Sequence, residues 1–196
     1  MRPRFWGVRL EPLWLSCGIV AVVALTLSRA NAESADADPP AGFYAAEAMP
    51  LVTKLMTRAG ISGYELLTVE EAAQELPGNN DGVFRAADVV GGLIVAPDAD
   101  PADADSIIEY YESHDVGLCE GKFAYHRLPD FRTPVLKRLV TACSAERDGW
   151  ERHYTLFRRA KGGLYMMMVM SSMVPDGGWP VRAFDARVLE AIETLD

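Results

Sequence analysis

Between Glu120 and Ser171 the chain carries four stretches of strand character joined only by short loops. Glu120–Leu128 alternates, placing Phe123 and Tyr125 on one face and Glu120, Lys122 and His126 on the other. The loop Pro129–Pro134 leads into Val135–Ser144, and Asp148-Gly149 turns the chain into Trp150–Arg159, with Trp150, Tyr154 and Leu156 on one face. Lys161-Gly162-Gly163 then opens Leu164–Ser171, apolar on both faces as a central strand requires. A parallel pair needs a crossover of roughly a dozen residues, and these connections are too short for one. The block reads as a mostly antiparallel meander, and the rest of the chain is expected to cover it.

The remaining periodic segments supply that cover. Leu51, Val52, Leu55 and Met56 recur on one helical face, which predicts a helix from about Met49 to Ala59, with Pro50 in its first turn and Gly60 as its stop. Thr68-Val69-Glu70-Glu71 is a capping box opening a short helix with Val69, Ala72, Ala73 and Leu76 as its buried face. Val83–Ala87 and Gly92–Ala96 read as a short strand pair around Gly91-Gly92. Asp100-Pro101 starts a helix to about Ser113 that buries Ala104, Ile107, Ile108 and Tyr111. The chain ends in an amphipathic helix, about Ala183–Leu195, whose stripe is Phe184, Val188, Leu189, Ile192 and Leu195. The expected class is α+β, a mostly antiparallel meander covered by helices. The order of elements over roughly residues 83–195 resembles the PsbP-like fold. That resemblance implies a non-enzymatic binding or assembly-accessory domain, and it carries over no functional residue.

The first 32 residues read as a signal peptide and not as part of the fold. Arg2, Arg4 and Arg9 form a basic start, Leu13–Leu27 is a largely apolar run, and Ala30-Asn31-Ala32 is a small-x-small cleavage site. The apolar run falls short of the ~20 residues a spanning helix needs, so cleavage after Ala32 is expected instead of a retained anchor. Residues 33–42, rich in Ala, Asp, Ser and Pro, read as a flexible leader, and 43–196 as a single domain. Four Arg and one Glu leave with the signal segment, so a net charge of -9 becomes -12 in the mature chain. Such acidity disfavours nucleic acid and anionic membrane surfaces as partners. Arg-rich, Ala- and Asp-rich usage is common in GC-rich bacterial genomes, which makes the periplasm the expected destination.

Export gives the cysteines their meaning. The mature chain has two, Cys119 and Cys143, and in an oxidising compartment a pair so spaced is expected to be a disulfide. If the Pro129–Pro134 loop closes a hairpin between Leu128 and Pro134, antiparallel register sets Cys119 directly opposite Cys143 on adjacent strands.

Signals for chemistry are few. There is no G-x-S-x-G, H-E-x-x-H, Walker A loop or G-x-G-x-x-G, so no catalytic residue and no cofactor is assigned. Met166, Met168 and Met170 share one face of a strand, and thioethers at that spacing can ligate Cu(I). If Arg159 pairs with Leu164, His153 falls opposite Met170 and completes a metal-handling site; otherwise the methionines are adaptable core filling. Asp98, Asp100, Asp103 and Asp105 lack the order of a calcium loop and suit a helix N-terminus. Arg127, Arg132, Arg138, Arg147, Arg152, Arg158 and Arg159 crowd the strand region and read as solvated surface, with an anion- or partner-binding face as the alternative. The expectation is an exported, non-catalytic domain that binds a protein or a small molecule, with copper handling or an unrecognised enzyme as the other readings.

Overall fold

The computed structural model describes residues 42–195 apart from 77, 130–132, 146–148 and 174–177. The signal segment, the cleavage site after Ala32 and leader residues 33–41 lie outside the described residues, as do Arg132 and Arg147. Seven strands form one sheet: β1 (Tyr64–Leu66), β2 (Gly82–Ala86), β3 (Val89–Ala96), β4 (Lys122–Leu128), β5 (Val135–Ser144), β6 (Trp150–Arg158) and β7 (Leu164–Ser172). Among the described residues four α-helices accompany it: α1 (Ala45–Arg58), α2 (Val69–Glu75), α3 (Ala104–Leu118) and α4 (Pro180–Glu193). The fold is α+β, and the sheet is antiparallel throughout.

The strand order is β1-β2-β3-β7-β6-β5-β4. The chain builds β1 to β3 as one meander, crosses by α3 to the far edge, and returns through β4 to β7 until β7 pairs with β3. Each face buries its own apolar core. On one, α1 and α4 cover Phe84, Leu93, Phe157, Met167 and Val169. On the other, α3 and the segment around α2 cover Val83, Leu139, Tyr154, Leu156, Leu164, Met166 and Met168.

Several elements differ from expectation for identifiable reasons. β1 was not foreseen, because three residues show no period. The turn between β2 and β3 falls at Ala87, which takes φ 49°, and the glycine pair lies within β3. There a Cβ on Gly91 would stand 2.2 Å from Phe84 Cζ, and one on Gly92 2.3 Å from Asn80 Oδ1, so both positions permit a close approach of covering side chains. The Thr68–Glu71 capping box forms as expected, yet α2 buries none of its residues, and Val69 is exposed. Its cover comes from the flanking Leu67 and Leu76. In α4, Ile192 is fully buried while Leu189 is only partly so. Pro50 lies inside α1, whose first turn begins at Ala45.

The disulfide is present, with S–S 1.98 Å and Cα atoms 5.5 Å apart, but it does not join two strands. α3 runs to Leu118, and Cys119 is its C-cap. The residue facing Cys143 across β4 and β5 is Phe123. The cross-strand expectation is therefore corrected: the bond ties the end of a helix to β5.

Candidate ligand-binding cleft

α3 is tied to β5 along its whole length. Asp105 bonds Lys137 Nζ at 2.9 Å, Asp115 accepts from Thr141 Oγ1 at 2.6 Å, and Cys119 is bonded to Cys143. The 14-residue step from Asp105 to Cys119 rises about 21 Å along a helix, and the six-residue step from Lys137 to Cys143 about 20 Å along a strand. The two elements therefore run side by side in one direction. On the β4 side, Arg127 adds bonds to Glu112 (2.9 Å) and Glu109 (3.4 Å).

Asp115 is the centre of this attachment. It is fully buried, and it also accepts from Tyr154 Oη at 2.9 Å and Arg152 Nη1 at 2.5 Å. Burial, then the Asp115 charge, pushes the Tyr154 hydroxyl well above its ordinary range, so it stays a donor. Tyr154 also stacks on Tyr111, with centroids 5.0 Å apart. Arg152 lies over Trp150 at 4.3 Å.

Because α3 follows β5, it leaves the sheet floor at β3, β7 and β6 open beside it. A cleft of about 360 Å³ results, lined by Ile94 and Ala96 of β3, Leu164 and Met166 of β7, Leu156 of β6, and Ser106, Ile107, Tyr110 and Tyr111 of α3. This volume lies at the lower end of the ~300–1,000 Å³ typical of small-molecule pockets. Apart from the two tyrosines, no titratable side chain lines it. A second hollow of about 170 Å³ lies between the start of α1 and α2 and is also largely apolar.

On the opposite face, under α4, is a closed ionic network. His153 Nδ1 lies 2.8 Å from Asp185 Oδ2, and its Nε2 lies 2.8 Å from Glu151 Oε1. Arg138 bonds Asp185 and reaches Thr155, while Arg182 grips Glu151 through Nε (2.8 Å) and Nη2 (2.6 Å). Glu151, His153, Asp185 and Arg138 are all buried, and none lines the clefts described above. Burial alone would raise the Glu151 carboxyl, but Arg182 and His153 outweigh it and hold it below its ordinary range. The network therefore fastens α4 to the sheet, and of its members Arg182 alone is exposed.

The structure separates the residues of the copper reading. Arg158, not Arg159, pairs with Leu164, so His153 faces Val169 and points to the α4 side. Met166, Met168 and Met170 lie on the α3 side opposite Leu156, Tyr154 and Arg152, with Met166 and Met168 buried in the core. The set thus loses its nitrogen ligand. Among the described residues, no group of three or more His, Cys, Asp or Glu side chains is placed to hold a metal ion. Asp100 caps the turn before α3 by accepting from the Ala102 N–H at 2.8 Å.

Arg158 is exposed as expected, but four of the other arginines are not plain surface. Arg138 is buried on Asp185, Arg152 reaches Asp115, Arg127 pairs with α3, and Arg159 makes a bidentate pair with Glu47 at 2.6 and 2.7 Å. The last pair, with Tyr165 donating to Glu47 at 2.5 Å, holds the Glu47 carboxyl down to about 2. Sequence alone could not reveal these contacts, because each partner is supplied by a helix far away in the chain. No protein-family model and no curated protein matches this sequence.

Proposed function

We propose that the protein is an exported binding domain that takes a small apolar ligand in the cleft between α3 and the sheet, and that it acts by binding without catalysis. The observation that carries this reading is the cleft itself. Its floor comes from side chains of three adjacent strands, and its wall is a helix held by a disulfide and a buried carboxylate. Such a preformed apolar surface gains free energy on burial without first having to order itself. The absence of acids, bases or histidines from its lining supports binding over chemistry. The disulfide supports an oxidising compartment. No helix among the described residues is long and apolar enough to cross a membrane.

An uncharged solvatochromic dye such as Nile red serves as probe. Saturable binding to the native protein is expected, with loss in Ser106→Trp, which places an indole at the cleft mouth from an exposed helix position. Circular dichroism should show both proteins equally folded. Failure of the native protein to bind, or undiminished binding by Ser106→Trp, would overturn the assignment.

A further inference from the structure

The two edges of the sheet are unlike. β1 has three residues, the short edge that monomeric proteins commonly use. β4 has seven, with no proline, and its register with β5 runs unbroken from Lys122 to Leu128. Among the described residues nothing pairs with its outer side, and most of its residues are exposed. Charge is the usual safeguard of such an edge. Here it is confined to the start of the strand, at Lys122: the Arg127 guanidinium is taken by Glu109 and Glu112, and the residues between Phe123 and Arg127 carry no Lys or Arg.

We propose that β4 pairs antiparallel with β4 of a second copy, about a twofold axis at Tyr125. The strand is complementary to itself in this register. With Tyr125 facing Tyr125 of the second copy, each Phe123 faces an Arg127, each Ala124 a His126 and each Lys122 a Leu128. These are aromatic, cation–aromatic and mixed pairs of the kind that stabilise antiparallel strands, and no like charges oppose. A two-residue shift one way sets Lys122 against His126, and a shift the other way sets His126 against itself.

The surroundings fit a second copy. Tyr125 is 55% exposed, and so is Val116 of α3 at 52%. Glu112 bonds Arg127, and one helical turn on, about 5.4 Å, comes Val116, while two strand residues, about 6.8 Å, lead from Arg127 to Tyr125. Val116 therefore lies toward Tyr125, and the twofold merges two small apolar patches into one. The two α3 helices, each over its β5, would stand three strand spacings apart, about 14 Å. That is wider than the ~8–10 Å of packed helices, so they do not collide.

Sedimentation equilibrium of the exported protein over a concentration series should show a dimer. Tyr125→Lys, which puts two ammonium groups on the axis, should weaken association by roughly tenfold or more. Tyr125→Cys should cross-link to itself under mild oxidation, because opposed residues stand ~4.5–5.5 Å apart. His126→Cys alone should not, since its copies are diagonal at ~7–8 Å. A protein that stays monomeric throughout, a dimer indifferent to Tyr125→Lys, or self-cross-linking at position 126 in place of 125 would each reject the twofold. So would a monomer whose β4 pairs only with added extended peptide.

Discussion

His153 Nδ1 stands 2.8 Å from Oδ2 of Asp185, a contact that joins the middle of β6 to the second turn of α4. Its other nitrogen meets Glu151, so only the doubly protonated ring can donate to both carboxylates. Burial opposes that charge, but Asp185 and then Glu151 outweigh it and raise the imidazole above its ordinary value of 6.5. A raised value means that folding favours the protonated ring. Its contribution is complete below pH 6.5 and is lost as pH climbs through the raised value. Of the groups facing it, Arg138 and Arg182 are guanidiniums, which do not titrate in this range, and Glu151 is held below its ordinary value. Urea midpoints should therefore fall from pH 6.5 upward in the native protein, and the slope should vanish in His153→Gln. A native profile flat across that range would contradict the account.

The antiparallel block from β4 to β7 was legible because its strands are separated by turn and loop signals, the first of them alternating and the last apolar on both faces. Position within it was less so. The hairpin joining β6 to β7 closes one residue earlier than expected, at Arg158, and that slip carries His153 from the methionine face to the α4 face. The cysteines were legible as a pair, since only two lie beyond the expected signal segment. Their geometry was not, because α3 continues past Ser113 to Leu118 and takes Cys119 with it. The cleft depends on that helix lying beside β5, and the anchors responsible, Asp115 and Lys137, look like surface residues in a linear reading. Buried charge is legible only once its partner is in place, and the groups that hydrogen-bond to Asp115 are 26 to 39 residues away.

In α4 two neighbouring apolar positions should respond differently. Ile192 is fully buried against the core shared with α1, while Leu189 is at its margin. Ile192→Ala should cost about 2–5 kcal/mol, the range for emptying a packed site, and Leu189→Ala clearly less. Denaturant titration of both variants decides it. Equal losses would mean that Leu189 packs as deeply as Ile192.

The Cys119–Cys143 bond closes a loop across 24 positions. Constraint of the unfolded chain then contributes roughly 3–4 kcal/mol. The double Cys→Ser variant should lose about that much stability, and the native protein should label with no thiol reagent under denaturing, non-reducing conditions. Two free thiols in the unreduced protein would remove this anchor of α3.

Asp115 offers the sharpest link between the fold and the cleft. Replacing it with Ala takes away the acceptor for Thr141 and Tyr154 and strands Arg152, whose buried Nε has no hydrogen-bond partner among the described residues. Breaking a buried ion pair from one side costs about 3–5 kcal/mol. The loss should reach function as well, because Tyr111 of the cleft wall stacks on Tyr154, whose hydroxyl Asp115 holds. Under conditions where Asp115→Ala is still folded, its affinity for the apolar probe should fall, while Ile192→Ala, on the other face, keeps native affinity despite a comparable loss of stability. If the two variants bind the probe alike, the Asp115 network supports α3 without shaping the cleft.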